Sequence, residues 1–351
     1  TTSEMEYPQD IISSYATTEN SEELDGEYSN NPSDTSLDPR PYRCATNLYL
    51  FTPSSSSGIW LKVSSSKKLN LKNKRIAIIC HGHQNSVREL WVLQMANALY
   101  HSKQFDYVLA INWEDGASQY GSIFAVNTTH VIEYVADETV KILSSKNATP
   151  SKITLIGHSH GAHVSGHIAN KMGAKRHIGL DTSASTVHVG NSLHWRNFPR
   201  TEYYRTSGIM GCALPYAKYN YIVCENGGFK SFSGLNAHSY AYKWFTHTIN
   251  SESCRNNKIG FWSEHSDSLN NATNGKLSAQ KGRYLGVING DDKFEFIYRY
   301  NDNNYSPNKT INYPGNKSSW DSMLNSWKFS YDVSNENFHT DISDNSKFYT
   351  G

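Results

Sequence analysis

Large apolar positions are sparse before residue 40 and then arrive in short, punctuated runs. Residues 1–40 are acidic and rich in Ser, Thr, Asn and Asp. Such a segment cannot bury enough surface to offset the entropy of ordering it, so a flexible N-terminal arm is expected, with 41–351 forming the globular part. "CATNLYLFTP" predicts a strand that stops at Pro53 and the serines after it, and "GIWLKV" a second one. "RIAIICHGH" reads as a buried strand running into a His-Gly-His loop. In "SVRELWVLQMANALYHSK", Leu90, Leu93, Asn97 and Tyr100 share one helical face with Met95, Ala96 and Leu99 beside it, which predicts a helix. "YVLAINW" is a further buried strand. "SIFAVNTTHVIEYVADETVKILSS" is a long helix with Val131, Tyr134, Val135 and Ile142 inward.

The pattern then repeats. "KITLIG" is a strand, "GAHVSGHIANKMG" a helix closed by Gly173, and "KRHIGLD" another strand. Strands alternating with helices in this way predict an α/β fold, with a parallel sheet covered on both faces. From about residue 185 the periodicity weakens, and loops are expected until the helix "NAHSYAYKWFTHTI". Three β-like runs follow, "RYLGVI", "FEFIYRY" and "SWKFSYDV", whose alternation suggests antiparallel strands.

Composition narrows this little. The 351 residues carry a net charge of +1, so no global charge points to nucleic acid or acidic lipid. Mean hydropathy is −0.62, and no run of 18 or more apolar residues suggests a membrane span. No signal peptide is visible, and the opening "TTSEMEYPQD" reads as an already trimmed end. Six Asn-x-Ser/Thr sequons, at Asn127, Asn147, Asn271, Asn304, Asn308 and Asn316, are weak evidence of secretion in so Asn-rich a chain. The five cysteines leave at least one free thiol. Cys80 closes a buried strand, whereas Cys212 and Cys224 flank a Tyr-rich loop that a bridge would close, which leans towards an oxidising compartment.

The chemistry concentrates in Gly157-His158-Ser159-His160-Gly161, between a β-run and a helix. A Gly-x-Ser-x-Gly in that context is a nucleophile elbow: a turn so tight that its flanking positions must be small. It lifts the hydroxyl to a helix N-terminus, where unsatisfied N–H groups favour negative charge. An ordinary strand-to-helix turn is the bland alternative, and the context argues against it. A serine needs a base, and the base an orienting acid. Asp181 ends the next strand; Asp267, in a late polar loop, is its rival. His188, His194, His238, His247, His265 and His339 all follow Asp181. His238 opens the late helix after a Gly-rich loop and is the expected base. The backbone N–H groups of His160 and His83 are the expected oxyanion donors. The spacings His81-x-His83 and His158-x-His160-x-x-His163 invite a metal, but no carboxylate completes a set, so no metal and no cofactor is expected.

With those residues in place, residues 44–260 resemble the pancreatic-lipase family, which includes A1-type phospholipases. "LYLFTP" and "IAIICHG" are similar to its first strands and oxyanion loop, "IGHSHGAHVSGHIA" to its elbow, "IGLD" to its acid strand, and "ENGG" with "AHSYAYKWF" to the segment carrying its histidine. The resemblance implies an α/β-hydrolase fold, a Ser159–Asp181–His238 triad, and His83 and His160 as oxyanion donors. Departures matter. His160 replaces the usual Leu, Met or Gln, and Thr182-Ser183 the usual Pro-Ala. The Asp-rich calcium stretch is unmatched. The lid is reduced to "FKSFSGLNA", and too little chain remains for the family's C-terminal β-sandwich. In that family a short lid goes with phospholipase A1 activity. The expectation is therefore a secreted serine hydrolase of lipid acyl esters, acting on phospholipid at a membrane or micelle surface. A triglyceride or small-ester hydrolase, a catalytically silent lipid-binding relative, and a toxin or effector with the same chemistry stay open.

Overall fold

The computed structural model describes residues 43–53, 58–118, 128–183, 200–207, 219–223, 234–265, 284–289 and 293–299. They fall into two compact units that divide between His177 and Ile178. In the first, β1 (Asn47–Pro53), β2 (Gly58–Lys62), β3 (Ile76–Cys80), β4 (Tyr107–Asn112) and β5 (Ile153–His158) lie in the order β2-β1-β4-β3-β5. β1 runs antiparallel to β2 and β4, while β3 runs parallel to both β4 and β5. Every residue of β3, β4 and β5 is buried. Successive strand residues point to opposite faces, so strands buried throughout are covered on both sides. That is why these segments read as unbroken apolar runs rather than as alternation.

Four helices connect them: α1 (Leu90–His101), α2 (Glu114–Ser118), α3 (Thr128–Ser145) and α4 (His160–Met172). α1 forms where expected, but its buried side is different. Leu90 is 67% exposed and Asn97 lies outward, while Trp91, Val92, Met95, Ala96, Ala98, Leu99 and Tyr100 are buried. Trp91 decides the rotation: its ring packs edge-on to His158, 5.8 Å between centroids, and its indole N–H donates to Asn85. In α3, Val131, Ile132, Val135, Ala136, Thr139 and Leu143 are buried, with Tyr134 and Ile142 at the margin. Gly173 closes α4 at φ 86°, ψ 163°, a positive-φ conformation that glycine adopts without strain.

The chain enters the second unit along β6 (Arg176–Leu180). It continues through β7 (Thr201–Arg205), β8 (Tyr219–Val223), α5 (Gly234–Asn250), α6 (Glu252–Asn257), β9 (Tyr284–Asn289) and β10 (Lys293–Arg299), with strand order β6-β7-β8-β9-β10. β7, β8 and β9 pair in parallel, and β9 with β10 antiparallel around an irregularity between Phe294 and Phe296. The first two of these strands correct the reading of this region as loop. Their sequences, "TEYYR" and "YNYIV", carry buried polar groups and so match no apolar template. Glu202 is fully buried, and its charge is neutralised locally. It accepts from Arg200 Nε (2.9 Å), Tyr204 Oη (2.8 Å) and Ser263 Oγ (2.6 Å), while Arg200 stacks over the Tyr219 ring. Tyr204 and Tyr221 stack with centroids 4.6 Å apart.

Cys44, Cys80 and Cys254 are buried. The 1–40 arm, the Cys212–Cys224 pair, Asp267 and "SWKFSYDV" lie outside the described residues. No described helix is long and apolar enough to cross a membrane.

The observed face of α1 has a direct consequence. Leu99→Ala should cost about 2–5 kcal/mol, as emptied core sites do. Leu90→Ala should stay within about 0.5 kcal/mol, as exposed substitutions do. Urea titration of both variants checks this, and comparable losses would mean that the other face is buried.

Candidate active site

The first unit builds its site where β5 meets α4. β3 and β5 pair in parallel with Cys80 opposite Gly157, so the loop after β3 and the turn after β5 emerge side by side. Ser159 stands in that turn at φ 56°, ψ −124°. This is a conformation that non-glycine residues avoid, at a cost of about 1–3 kcal/mol. It persists because the surrounding backbone leaves no alternative. A Cβ on Gly161 would sit 2.3 Å from the carbonyl oxygens of both Cys80 and His81, and one on Gly157 2.3 Å from Gly161 O. The first turn of α4 is thus pressed onto the ends of its neighbouring strands. The backbone at Gly82 passes so close that a Cβ there would stand 2.9 Å from Ser159 Cβ and 3.5 Å from its Oγ.

The 81–89 loop is held from several directions. His81 is buried. Its Nδ1 lies 3.0 Å from Gly82 O, so it carries the proton and donates, leaving Nε2 to accept from the Trp113 N–H at 3.2 Å. The Trp113 indole donates back to His81 O at 2.8 Å, and the two rings stack 13° from parallel. Burial pushes the His81 imidazole down to about 4, so it is neutral at physiological pH. Farther along, Gln84 N–H donates to Ala117 O and Val87 N–H to Asn112 Oδ1. These bonds fix His83 at the mouth of the loop. Its half-buried ring meets the fully buried ring of His160 edge-on, 5.8 Å between centroids, and burial lowers its pKa. His160 is the first residue of α4, where backbone N–H groups point along the axis towards developing negative charge.

The second unit holds the other two expected residues. Asp181 follows β6 at φ 41°, fully buried, its N–H bonded to Tyr204 O at 2.7 Å. Its Oδ1 accepts from the backbone N–H groups of Thr206 (2.8 Å) and Ser207 (3.0 Å). Its Oδ2 accepts from the Ser207 hydroxyl and lies 2.6 Å from His238 Nδ1. Burial alone would raise the Asp181 pKa. The His238 hydrogen bond and charge, with the Ser207 donors, more than offset that and hold the carboxyl below its ordinary range. His238 lies in the second turn of α5, whose buried positions Ala237, Ala241, Trp244, Phe245, Thr248 and Ile249 recur at helical spacing. His247, on the same helix, is exposed.

The structure therefore brings His83, Ser159 and His160 together in one unit and Asp181 and His238 together in the other. Thr206 and Ser207 were not found from sequence. Recognising "TEYYR" as a strand would have placed "TS" at its C-terminal end, beside the end of the preceding strand. Among the described residues no group of three or more His, Cys, Asp or Glu could hold a metal ion.

A mostly parallel sheet with a strained serine between a strand and a helix, and an aspartate at the end of the next strand, defines an α/β-hydrolase. The Lipase family model matches residues 11–193, and the chain belongs to that family, the pancreatic lipases and their relatives. It is 31% identical over 234 residues to "Phospholipase A1 2" of Polistes dominula, covering 59% of this chain and 73% of that protein. It is 29% identical over 147 residues to "Inactive pancreatic lipase-related protein 1" of Homo sapiens, covering 40% of this chain and 31% of that one. Among solved structures, an α/β serine hydrolase homologue from Coxiella burnetii overlaps 57% of this chain and 94% of its own at 12% identity, with a TM-score of 0.34.

Two outcomes follow from the first unit. Gly161→Ser should abolish folding of the unit, because its Cβ meets backbone oxygens that cannot move aside; circular dichroism and proteolysis check this, and a native-like variant would refute the packing. His81 is held neutral, its pKa falling from 6.5 unfolded to about 4 folded. Its contribution to stability is therefore complete above 6.5 and is lost as pH falls towards 4. Urea midpoints measured from pH 7 to pH 4 should drop more steeply for the wild type than for His81→Gln, and parallel curves would contradict the assignment.

Proposed function

We propose that this protein hydrolyses acyl esters of lipids through Ser159, His238 and Asp181, and that its substrate is a phospholipid cleaved at the sn-1 position. The observation that carries the reading is Ser159 itself, a non-glycine residue held in a strained turn at the head of a helix. The buried Asp181–His238 contact supports it, because it supplies an imidazole with one nitrogen already committed to a carboxylate. In this mechanism His238 Nε2 takes the Ser159 proton as Oγ attacks the ester carbonyl. Asp181 orients the ring and stabilises the imidazolium. The backbone N–H groups of His83 and His160 receive the developing oxyanion. His238 then protonates the leaving alcohol, and water, activated by the same histidine, clears the acyl-enzyme. No metal or cofactor enters.

The similarity to a protein named phospholipase A1 supports the substrate class, as does the short segment between β8 and α5 where the family carries its lid. The sequons and the Cys212–Cys224 spacing support a secreted protein. A silent, lipid-binding role is the competing reading, favoured by the similarity to an inactive human relative.

The test uses phosphatidylcholine carrying different acyl chains at sn-1 and sn-2, with the released fatty acid identified. The wild type should release the sn-1 chain, and Ser159→Ala should lose about three orders of magnitude or more in kcat. His238→Ala should collapse similarly while exposed His247→Ala stays near wild type. Equal turnover by the wild type and Ser159→Ala would overturn the site. Cleavage of short p-nitrophenyl esters but not phospholipid would move the substrate, and a folded wild type inert on both would favour the silent reading.

A further inference from the structure

The end of β7 touches the acid–base pair at two separate points. Among the described residues, Thr206 and Ser207 give the Asp181 carboxylate three of its four hydrogen-bond partners: two backbone N–H groups on Oδ1 and the Ser207 hydroxyl on Oδ2. The same two residues also reach the helix that carries the histidine. The Thr206 hydroxyl donates to the carbonyl of Ala237, the residue before His238, at 2.6 Å. Thr206, Ser207 and Asp181 are each buried. One dipeptide therefore grips the carboxylate by its oxygens and the histidine by its backbone.

We infer that Thr206 and Ser207 are positioning residues for the Asp181–His238 pair, Thr206 fixing where the imidazole stands and Ser207 setting how basic it is. The inference rests on the proposed hydrolase reading for its kinetic consequences but not for its geometry.

The two roles differ physically. Asp181 Oδ2 is shared between the Ser207 hydroxyl and His238 Nδ1. A donor on an ionised oxygen draws charge towards itself and leaves less to stabilise a neighbouring cation. Ser207 thus holds Oδ2 in the line of the ring and restrains its pull on the imidazolium. Removing the hydroxyl leaves more of the carboxylate charge to His238 Nδ1, which favours the imidazolium that forms during turnover. The charged group in contact with the ring is Asp181 after β6; on β7, Arg205 donates from Nε to Ser207 O at 3.0 Å, and Lys243 and His247 lie exposed on α5. None of these changes when the hydroxyl is deleted. Thr206 puts no side-chain atom on the carboxylate. Its deletion loosens the start of α5 without altering the charge on Oδ2, and so changes geometry rather than basicity.

The experiment separates these effects. The acidic limb of kcat/KM reports the free-enzyme pKa of the base, which must be neutral to act. In Ser207→Ala that limb should move to higher pH by about half a unit, the scale of one hydrogen bond to an ionised group shared between two donors. Ser207→Thr, which keeps the hydroxyl, should restore it. Thr206→Val should lower kcat about tenfold with the limb unmoved, and Thr206→Ser should recover turnover. An NMR titration of the His238 ring in the Ser159→Ala background, with and without Ser207→Ala, reads the same shift without turnover. Coincident titrations there would overturn the Ser207 role, and wild-type kcat in Thr206→Val would overturn that of Thr206. If the NMR shift appears but Ser159→Ala still hydrolyses lipid, the positioning stands and the hydrolase reading falls. If Ser159→Ala is inactive but the titrations coincide, the reverse holds.

Discussion

The first unit's site depends on backbone packed directly onto backbone. Gly161 lies against the carbonyl oxygens of Cys80 and His81 with no room for a methyl group. That approach draws the start of α4 onto the ends of β3 and β5 and forces Ser159 into its unusual torsions. Apolar packing of β3, β4 and β5 supplies the rigidity that makes the strain sustainable, since buried parallel strands cannot yield without emptying the core. Widening that contact would relax the serine and withdraw the 81–89 loop from it.

Around this contact several polar side chains are buried, among them His81, His158, His160 and His163. His81 is kept neutral by burial, and its two ring nitrogens have different tasks, one closing the loop on itself and the other tying it to Trp113. Aromatic rings replace what smaller residues would leave as voids: Trp113 on His81, Trp91 on His158, and His160 against His83. His160 stands where the resemblance implies an apolar or amide side chain, and its buried ring packs against that of His83.

The second unit follows a different design. Its described strands bury charge, and two of the buried carboxylates are met by donors. Glu202 has Arg200, Tyr204 and Ser263; Asp181 has His238 and four donor hydrogens, counting the imidazole N–H. A buried carboxylate lacking such partners would protonate instead. In both cases a short stretch at one end of β7 completes the arrangement, which makes that strand a structural hub although its sequence resembles a surface segment.

Much of this was legible in the chain. The continuous apolar runs at 76–80, 107–112 and 153–158 announced strands covered on both faces, because only that environment tolerates them. Gly-x-Ser-x-Gly between a strand and a helix located the strained serine, since only small flanking residues fit the turn. The aspartate after "HIGL" and the histidine opening the late helix could be named from chain order. Tertiary structure alone decided the rest. The exposed side of α1 depends on where Trp91 finds a partner, not on helical spacing. β7 escaped notice because buried Glu202 and Tyr204 look polar until their partners, more than fifty residues away at Gly260 and Ser263, are in place, and β8 because its tyrosines find Tyr204 and Arg200 only in the folded sheet. Thr206 and Ser207 have no motif at all: their meaning comes from a strand end that folding sets beside Asp181 and Ala237. Local pattern records what a residue prefers, whereas long-range pairing decides which groups meet.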